Sequence, residues 1–169
     1  MSGTDDEGYG GGVGGVTLRG RDYPSVRQFN VFVENRVGNL LGVVRHFETT
    51  DIRVVSLTVV DSADCAIIRM VLSDPERARE IFERHKLPIT ESDLLVVELP
   101  EGDQPLVTIC KALLSAEIGI HYAYPLLIGP HGRSAVAMRV EDHEAASASL
   151  QRLGFTLFTE GDLESDDVH

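Results

Sequence analysis

The sequence predicts an α+β protein made of two tandem copies of one βαββαβ unit. Three observations carry this. The hydrophobic period switches repeatedly between that of a strand and that of a helix. The order of elements then starts again after about 65 residues. Finally, residues of similar type fall on one another when the two halves are laid side by side.

The first strand is QFNVFVEN (28–35), with Phe29, Val31 and Val33 on one face and Phe32 on the other. From Gly38 the spacing of Leu40, Leu41, Val44 and Phe47 becomes helical. RVVSLTVVD (53–61) and CAIIRMVLS (65–73) read as a hairpin around the polar turn Ser62-Ala63-Asp64. The next helix has Ser73 and Glu76 at capping-box spacing, Asp74 as the alternative cap and Pro75 in its first turn. Ala78, Ile81, Phe82 and His85 form its expected buried stripe. A short extended piece, ITES, precedes the strong strand LLVVEL (94–99).

The second round follows. A helix carries Leu106, Ile109, Cys110, Leu113 and Leu114 on one side. IHYAYPLLIG (120–129) and SAVAMRVE (134–141) form a hairpin, and a helix opens at Asp142 and closes at Gly154. FTLFTE (155–160) is the last strand. At an offset of 66, Leu40 falls on Leu106, Val43 on Ile109, Phe47 on Leu113, Ile52 on Ile118 and Val54 on Ile120. After the hairpin the offset is 68, placing Met70 on Met138, Asp74 on Asp142, Ala78 on Ala146 and Phe82 on Leu150.

Each unit should form a four-stranded antiparallel sheet with both helices on one face, the ferredoxin-like arrangement. The other face and the edges then need cover, so the copies should pack together and the chain should form a homodimer. The expected organisation is a glycine-rich tail over 1–25, units over 26–93 and 94–161, and an acidic tail over 162–169.

Composition bounds the function. The 169 residues are 43% hydrophobic and 25% charged, ordinary globular usage. No apolar run reaches the length of a membrane span, and the first residues do not read as a secretory signal. Residues 160–169 and 1–10 together hold eight acidic residues and no Lys or Arg, so most of the formal net charge of -12 lies in the tails. They read as solvated ends, or as an acidic interaction tail. This charge does not suit a nucleic-acid backbone. The third strands also lack the aromatics that an RNA-binding sheet stacks on bases. GYGGGVGG has no flanking strand, helix or Gly-Lys-Ser/Thr and is not a phosphate loop. Cys65 and Cys110 sit in apolar runs, read as core, and fit a reducing cytoplasm. The six histidines show no metal-ligand spacing, and no nucleophile elbow is present. No catalytic residue, metal or cofactor is expected.

Function is therefore sought in the first strand-to-helix loop, Glu34-Asn35-Arg36-Val37-Gly38-Asn39-Leu40. A glycine here lets the chain turn so that first-turn amides face an anion. The plainer reading is a loop glycine with Asn35 or Asn39 as a cap. Asn35-Arg36-Val37-Gly38-Asn39-Leu40-Leu41 with the strand Ser56-Leu57-Thr58-Val59 resembles the ACT domain. It is especially similar to the opening domain of the small regulatory subunit of acetolactate synthase. The second copy is similar to an ACT domain through its Leu106–Leu113 helix and Ile118–Tyr124 strand.

The resemblance covers residues 28 to about 160. It implies a non-catalytic regulator that binds an amino acid against the first loop and controls a biosynthetic enzyme. The alternative is an oligomerisation or interaction module that has lost its ligand. The resemblance implies a ligand carboxylate at the amides of Gly38, Asn39 and Leu40, helped by Arg36 or Arg53, and an ammonium group at the Asn35 oxygen. The family usually has Asp or Glu, then Pro, then Gly in this loop. Here Asn35 and Val37 depart while Gly38 and Leu40 fit. In the second copy Gln104 takes the glycine position and Pro105 removes an amide donor, so that copy reads as structural or as binding something else.

Overall fold

A computed structural model describes residues 23–164. Seven strands and five α-helices follow in the order β1 (Val26–Glu34), α1 (Asn39–Val44), β2 (Val54–Asp61), β3 (Cys65–Leu72), α2 (Pro75–Arg84), β4 (Ile89–Glu98), α3 (Pro105–Ser115), β5 (Ile120–Pro125), β6 (Ala135–Val140), α4 (His143–Arg152), β7 (Leu157–Phe158) and α5 (Glu160–Glu164). All pairings are antiparallel, in the order β2-β3-β1-β4-β6-β5 with β7 also against β4.

Two ferredoxin-like units can be read in that order, β2-β3-β1-β4 and β5-β6-β4-β7, and they share β4. Its first half pairs with β1 from Ile89 to Leu94, and its second half pairs with β6 from Leu95 to Glu98. The piece ITES and the strand LLVVEL are thus one ten-residue strand, and the expected 93/94 boundary falls inside it. The pleat explains the continuity, because alternation persists across the junction. Leu94 and Val96 face one core, whereas Leu95 and Val97 face another.

Three cores result. One lies under α1 and α2, with Phe29, Ile68, Met70, Ala78 and Phe82 among its buried members. A second lies under α3 and α4, with Leu95, Ile109, Leu113, Met138 and Leu150. The third lies between the helix-free faces, where Val26, Val55, Val71, Leu94, Val96, Tyr124, Ala137, Phe158 and Leu163 meet. The sheet curls until its edges touch: the Leu127 amide donates to the Val55 carbonyl (2.8 Å) and the Ser56 hydroxyl to the Pro125 carbonyl (2.5 Å). The face that the sequence left uncovered is therefore covered within one chain.

The duplication extends to single hydrogen bonds. Phe32 N to Pro88 O (3.0 Å) matches Glu98 N to Thr156 O (2.9 Å), and Leu87 N to Phe82 O matches Phe155 N to Leu150 O, both at 3.0 Å. Asp74 caps α2 through the Arg77 amide (3.1 Å), and Asp142 caps α4 through the Ala145 amide (3.0 Å). Asp74, the alternative at the sequence level, is thus the cap.

Several expectations change. The last strand is only Leu157–Phe158, and the acidic run then folds into α5. Leu163 is buried in the central core, and Glu160 is buried beside Arg27, accepting from the Arg27 amide at 3.0 Å with the guanidinium Nε at 3.5 Å. A buried arginine needs such a partner, which is why this acidic residue is not left in solvent. Before β1, Tyr23 packs at a tilt against His143 with ring centroids 4.9 Å apart and Ser25 is buried, so the ordered contacts begin ahead of Val26. The remainder of the two expected tails, 1–22 and 165–169, lies outside the described residues.

Helix faces also differ. α3 buries Ile109, Ala112 and Leu113, while Cys110, Leu106 and Leu114 are exposed. α1 buries Val43, with Phe47 in the following 3-10 turn, and leaves Leu40 and Leu41 exposed. His85 is exposed and stacks on His46 at 4.1 Å instead of joining the core.

Candidate functional site

The loop after β1 is held by its asparagines. The Asn35 amide group donates to the Asp61 carboxylate (2.6 Å) and the Ser62 carbonyl (3.2 Å), tying the loop to the β2–β3 turn. The Asn39 side chain donates back to the Glu34 carbonyl, and Arg36 pairs with Glu34 on the surface. With its nitrogen engaged, Asn35 keeps its oxygen as an acceptor.

Gly38 adopts φ +88, the left-handed region that side chains with a Cβ avoid. A Cβ there would meet nothing within 4 Å, so the requirement for glycine is conformational, not one of space. Valine at this position would strain the fold itself and could not test ligand approach cleanly. The Asn39 amide donates to the Arg36 carbonyl (3.3 Å) and the Gly42 amide to the Gly38 carbonyl (2.9 Å). Among the described residues no backbone carbonyl accepts from the Leu40 or Leu41 amide. Val37, fully exposed, and the half-exposed Leu40 and Leu41 surround these donors.

Asn35, Arg36, Gly38, Asn39 and Leu40 are thus brought together, and Arg53 is not. β1 and β2 are each antiparallel to β3 and so run parallel to each other. The exit of β1 and the entry to β2 therefore lie at opposite ends of the sheet, about 26 Å apart along β2. There Arg53 and Ser73 bond reciprocally, Arg53 N to Ser73 Oγ at 2.8 Å and Ser73 N to Arg53 O at 3.0 Å. The Arg53 guanidinium donates to the Leu163 carbonyl of α5 (2.9 Å).

The sequence missed the neighbours of Arg53. Arg77 of α2 reaches Asp51 at 2.6 Å, and this hydrogen-bonded cation holds the Asp51 carboxyl below its ordinary range. Asp51, Arg53, Asp74, Arg77 and Glu164 border a polar pocket of ≈ 170 Å³. The signal available was the direction of β2, which follows from the predicted topology.

In the second unit the matching loop takes another form. Gln104 precedes α3 at φ -133 with Pro105 in the first turn. A cleft of ≈ 300 Å³ opens there between Leu99, Pro100 and Glu101 on one side and Leu153 and Phe155 on the other. Arg133 pairs with Glu98 beside it at 3.1 Å. Tyr122 and Tyr124 face the inside of the curled sheet. Arg69 lies 3.8 Å over the Tyr122 ring, and the Tyr124 hydroxyl donates to Gln28 at 2.6 Å. Burial raises the Tyr124 pKa, and that ring is not available for stacking on a base.

Among the described residues no group of three or more His, Cys, Asp or Glu is placed to hold a metal ion, and no helix is long and apolar enough to cross a membrane.

Comparison with known proteins gives the family. The structure is similar to that of protein BT0572 from Bacteroides thetaiotaomicron, at 21% identity and TM-score 0.75, over 85% of this chain and 98% of that one. It is similar at 13% identity and TM-score 0.51 to the ligand-free regulatory subunit of aspartate kinase from Thermus thermophilus, over 79% of this chain and 95% of that one. At these identities the likeness is one of fold. No curated protein matches the sequence. The family model described as an ACT domain pair matches residues 24–163, and the chain belongs to that family.

Proposed function

We propose that this ACT domain pair is a non-catalytic, cytoplasmic regulatory protein that binds an amino acid at the β1–α1 loop of its first unit. In the bound state it would alter the activity of an amino-acid biosynthesis enzyme. The observation that carries the reading is the loop itself: Gly38 in the left-handed conformation ahead of the Leu40 and Leu41 amides, which donate to no backbone carbonyl among the described residues. A ligand carboxylate there gains charge-assisted hydrogen bonds, and the Asn35 oxygen is in the same loop for the ammonium group. The resemblance of this loop to the small subunit of acetolactate synthase makes the catalytic subunit of that enzyme the first partner to test.

A thermal-shift screen against the twenty amino acids tests the reading. Ligand at 100 times its dissociation constant should add ~2.7 kcal/mol of stability, and the absence of any shift would overturn it. The second reading is an interaction module without a ligand. It is favoured by the exposed Val37, Leu40 and Leu41 around the same loop, an apolar surface suited to a protein partner or a second copy. Light scattering at micromolar concentration separates a homodimer from a monomer.

A further inference from the structure

We infer that the pocket around Arg53 is a second binding site of the first unit, taking a small polar α-amino acid as its zwitterion. Three segments converge on it: the residues leading into β2, the start of α2 and the end of α5. Arg53 is fixed at both its amide and its carbonyl by Ser73, and one of its guanidinium nitrogens is anchored on the Leu163 carbonyl. A guanidinium carries five donors, so most of its hydrogen-bonding capacity remains for a ligand carboxylate. Asp74 and Glu164 border the same space and supply acceptors for an ammonium group.

The charge balance selects the class. Two guanidinium groups and three carboxylates line the pocket. A free anion would face the three acids and a simple cation the two arginines, whereas a zwitterion meets both signs. The lining selects the side chain. The pocket of ≈ 170 Å³ has room for an amino acid and is bordered almost wholly by polar groups. Ile52 is the one apolar side chain in the lining, so a branched apolar ligand gains little.

The second unit serves as an internal control. At the positions of Arg53 and Arg77 it has Gly119 and Ala145, and its matching pocket is lined by Glu117, Glu141, Asp142 and Glu144. No guanidinium is present there to hold a carboxylate.

Calorimetry with glycine, L-alanine, L-serine and L-leucine on the full chain decides the matter. The three small amino acids should bind and L-leucine should not bind in this pocket. Arg53→Gln should weaken their binding by about tenfold or more. Because Arg53 also anchors α5, Glu164→Gln provides a second, surface variant that should weaken the same ligands at an unchanged melting temperature. Asn39→Ala, in the β1–α1 loop, should leave this binding intact. If none of the three small amino acids binds, or if they bind equally to both pocket variants, the inference falls. Binding lost in Asn39→Ala but kept in Arg53→Gln would overturn it while leaving the loop reading standing.

Discussion

The two units share one hydrogen-bond frame and line it differently. Where the chain enters the second strand, the first unit bonds Ser73 N to Arg53 O (3.0 Å) and the second bonds Glu141 N to Gly119 O (2.9 Å). Around that common bond one unit presents two arginines and the other none. The strand-to-helix loops diverge in the same way, left-handed Gly38 against Gln104 at φ -133. Backbone pairing and caps specify the fold, so the side chains at its ends are free to differ, and these differences are where function should be sought.

The comparison can be broken first at the cores. Phe82 and Leu150 occupy matching positions, each fully buried. Phe82→Ala should cost about 3–5 kcal/mol and Leu150→Ala about 2–5. Urea denaturation followed by circular dichroism should show a single, lowered transition in both, because the units share β4 and the central core. Two separated transitions would show that the units unfold independently.

Next come the loops. Gly38→Ala should lower stability by about 1–2 kcal/mol because alanine is strained at positive φ, whereas Gln104→Ala should be close to neutral. Equal losses would mean that the loops do not differ as described. The caps sharpen the likeness instead. Asp74→Ala and Asp142→Ala should each cost about 1 kcal/mol, and a thermal melt of each should shift by a similar amount.

The smallest effect is one of pH. Burial, and then the neighbouring His85, hold His46 below its ordinary value of 6.5. The folded chain therefore disfavours the proton that the unfolded chain binds. This contribution is complete above 6.5 and is lost progressively as pH falls through and below it. The second unit has Ala112 in the matching place, and His46→Ala should flatten the pH dependence of melting in that window. An unchanged slope would assign it to other groups.

Much of the fold was legible from local signals. Asp74, Asp142, the glycine ending α4 and the offsets of 66 and 68 all depend on short-range patterns, which sequence preserves directly. The curl was not legible, because a period of two says that a strand has two faces but not what the second face meets. Leu40, Leu106 and Leu114 have helical spacing, yet they fall outside the narrower stripes that the short helices bury. In the last acidic run, Leu163 was the apolar signal that its first residues pack. For the candidate site, the loop residues came together because they are contiguous. Arg53 did not, since a right reading of its place required following strand direction and not motif position.

β4 gives the molecule a parity. Its odd-numbered residues from Ile89 to Val97 point toward the helices of both units, and its even-numbered residues from Thr90 to Val96 point toward the interior. Inserting one residue between Ser92 and Leu94 would turn every following side chain of the strand over, presenting Leu95 and Val97 to the inside and asking α3 and α4 to sit there too. Inserting two would restore the faces and merely displace one unit along the other. Any change in length at this junction should therefore be accepted or refused by whether it is even or odd, a constraint that a flexible linker between two beads would never impose.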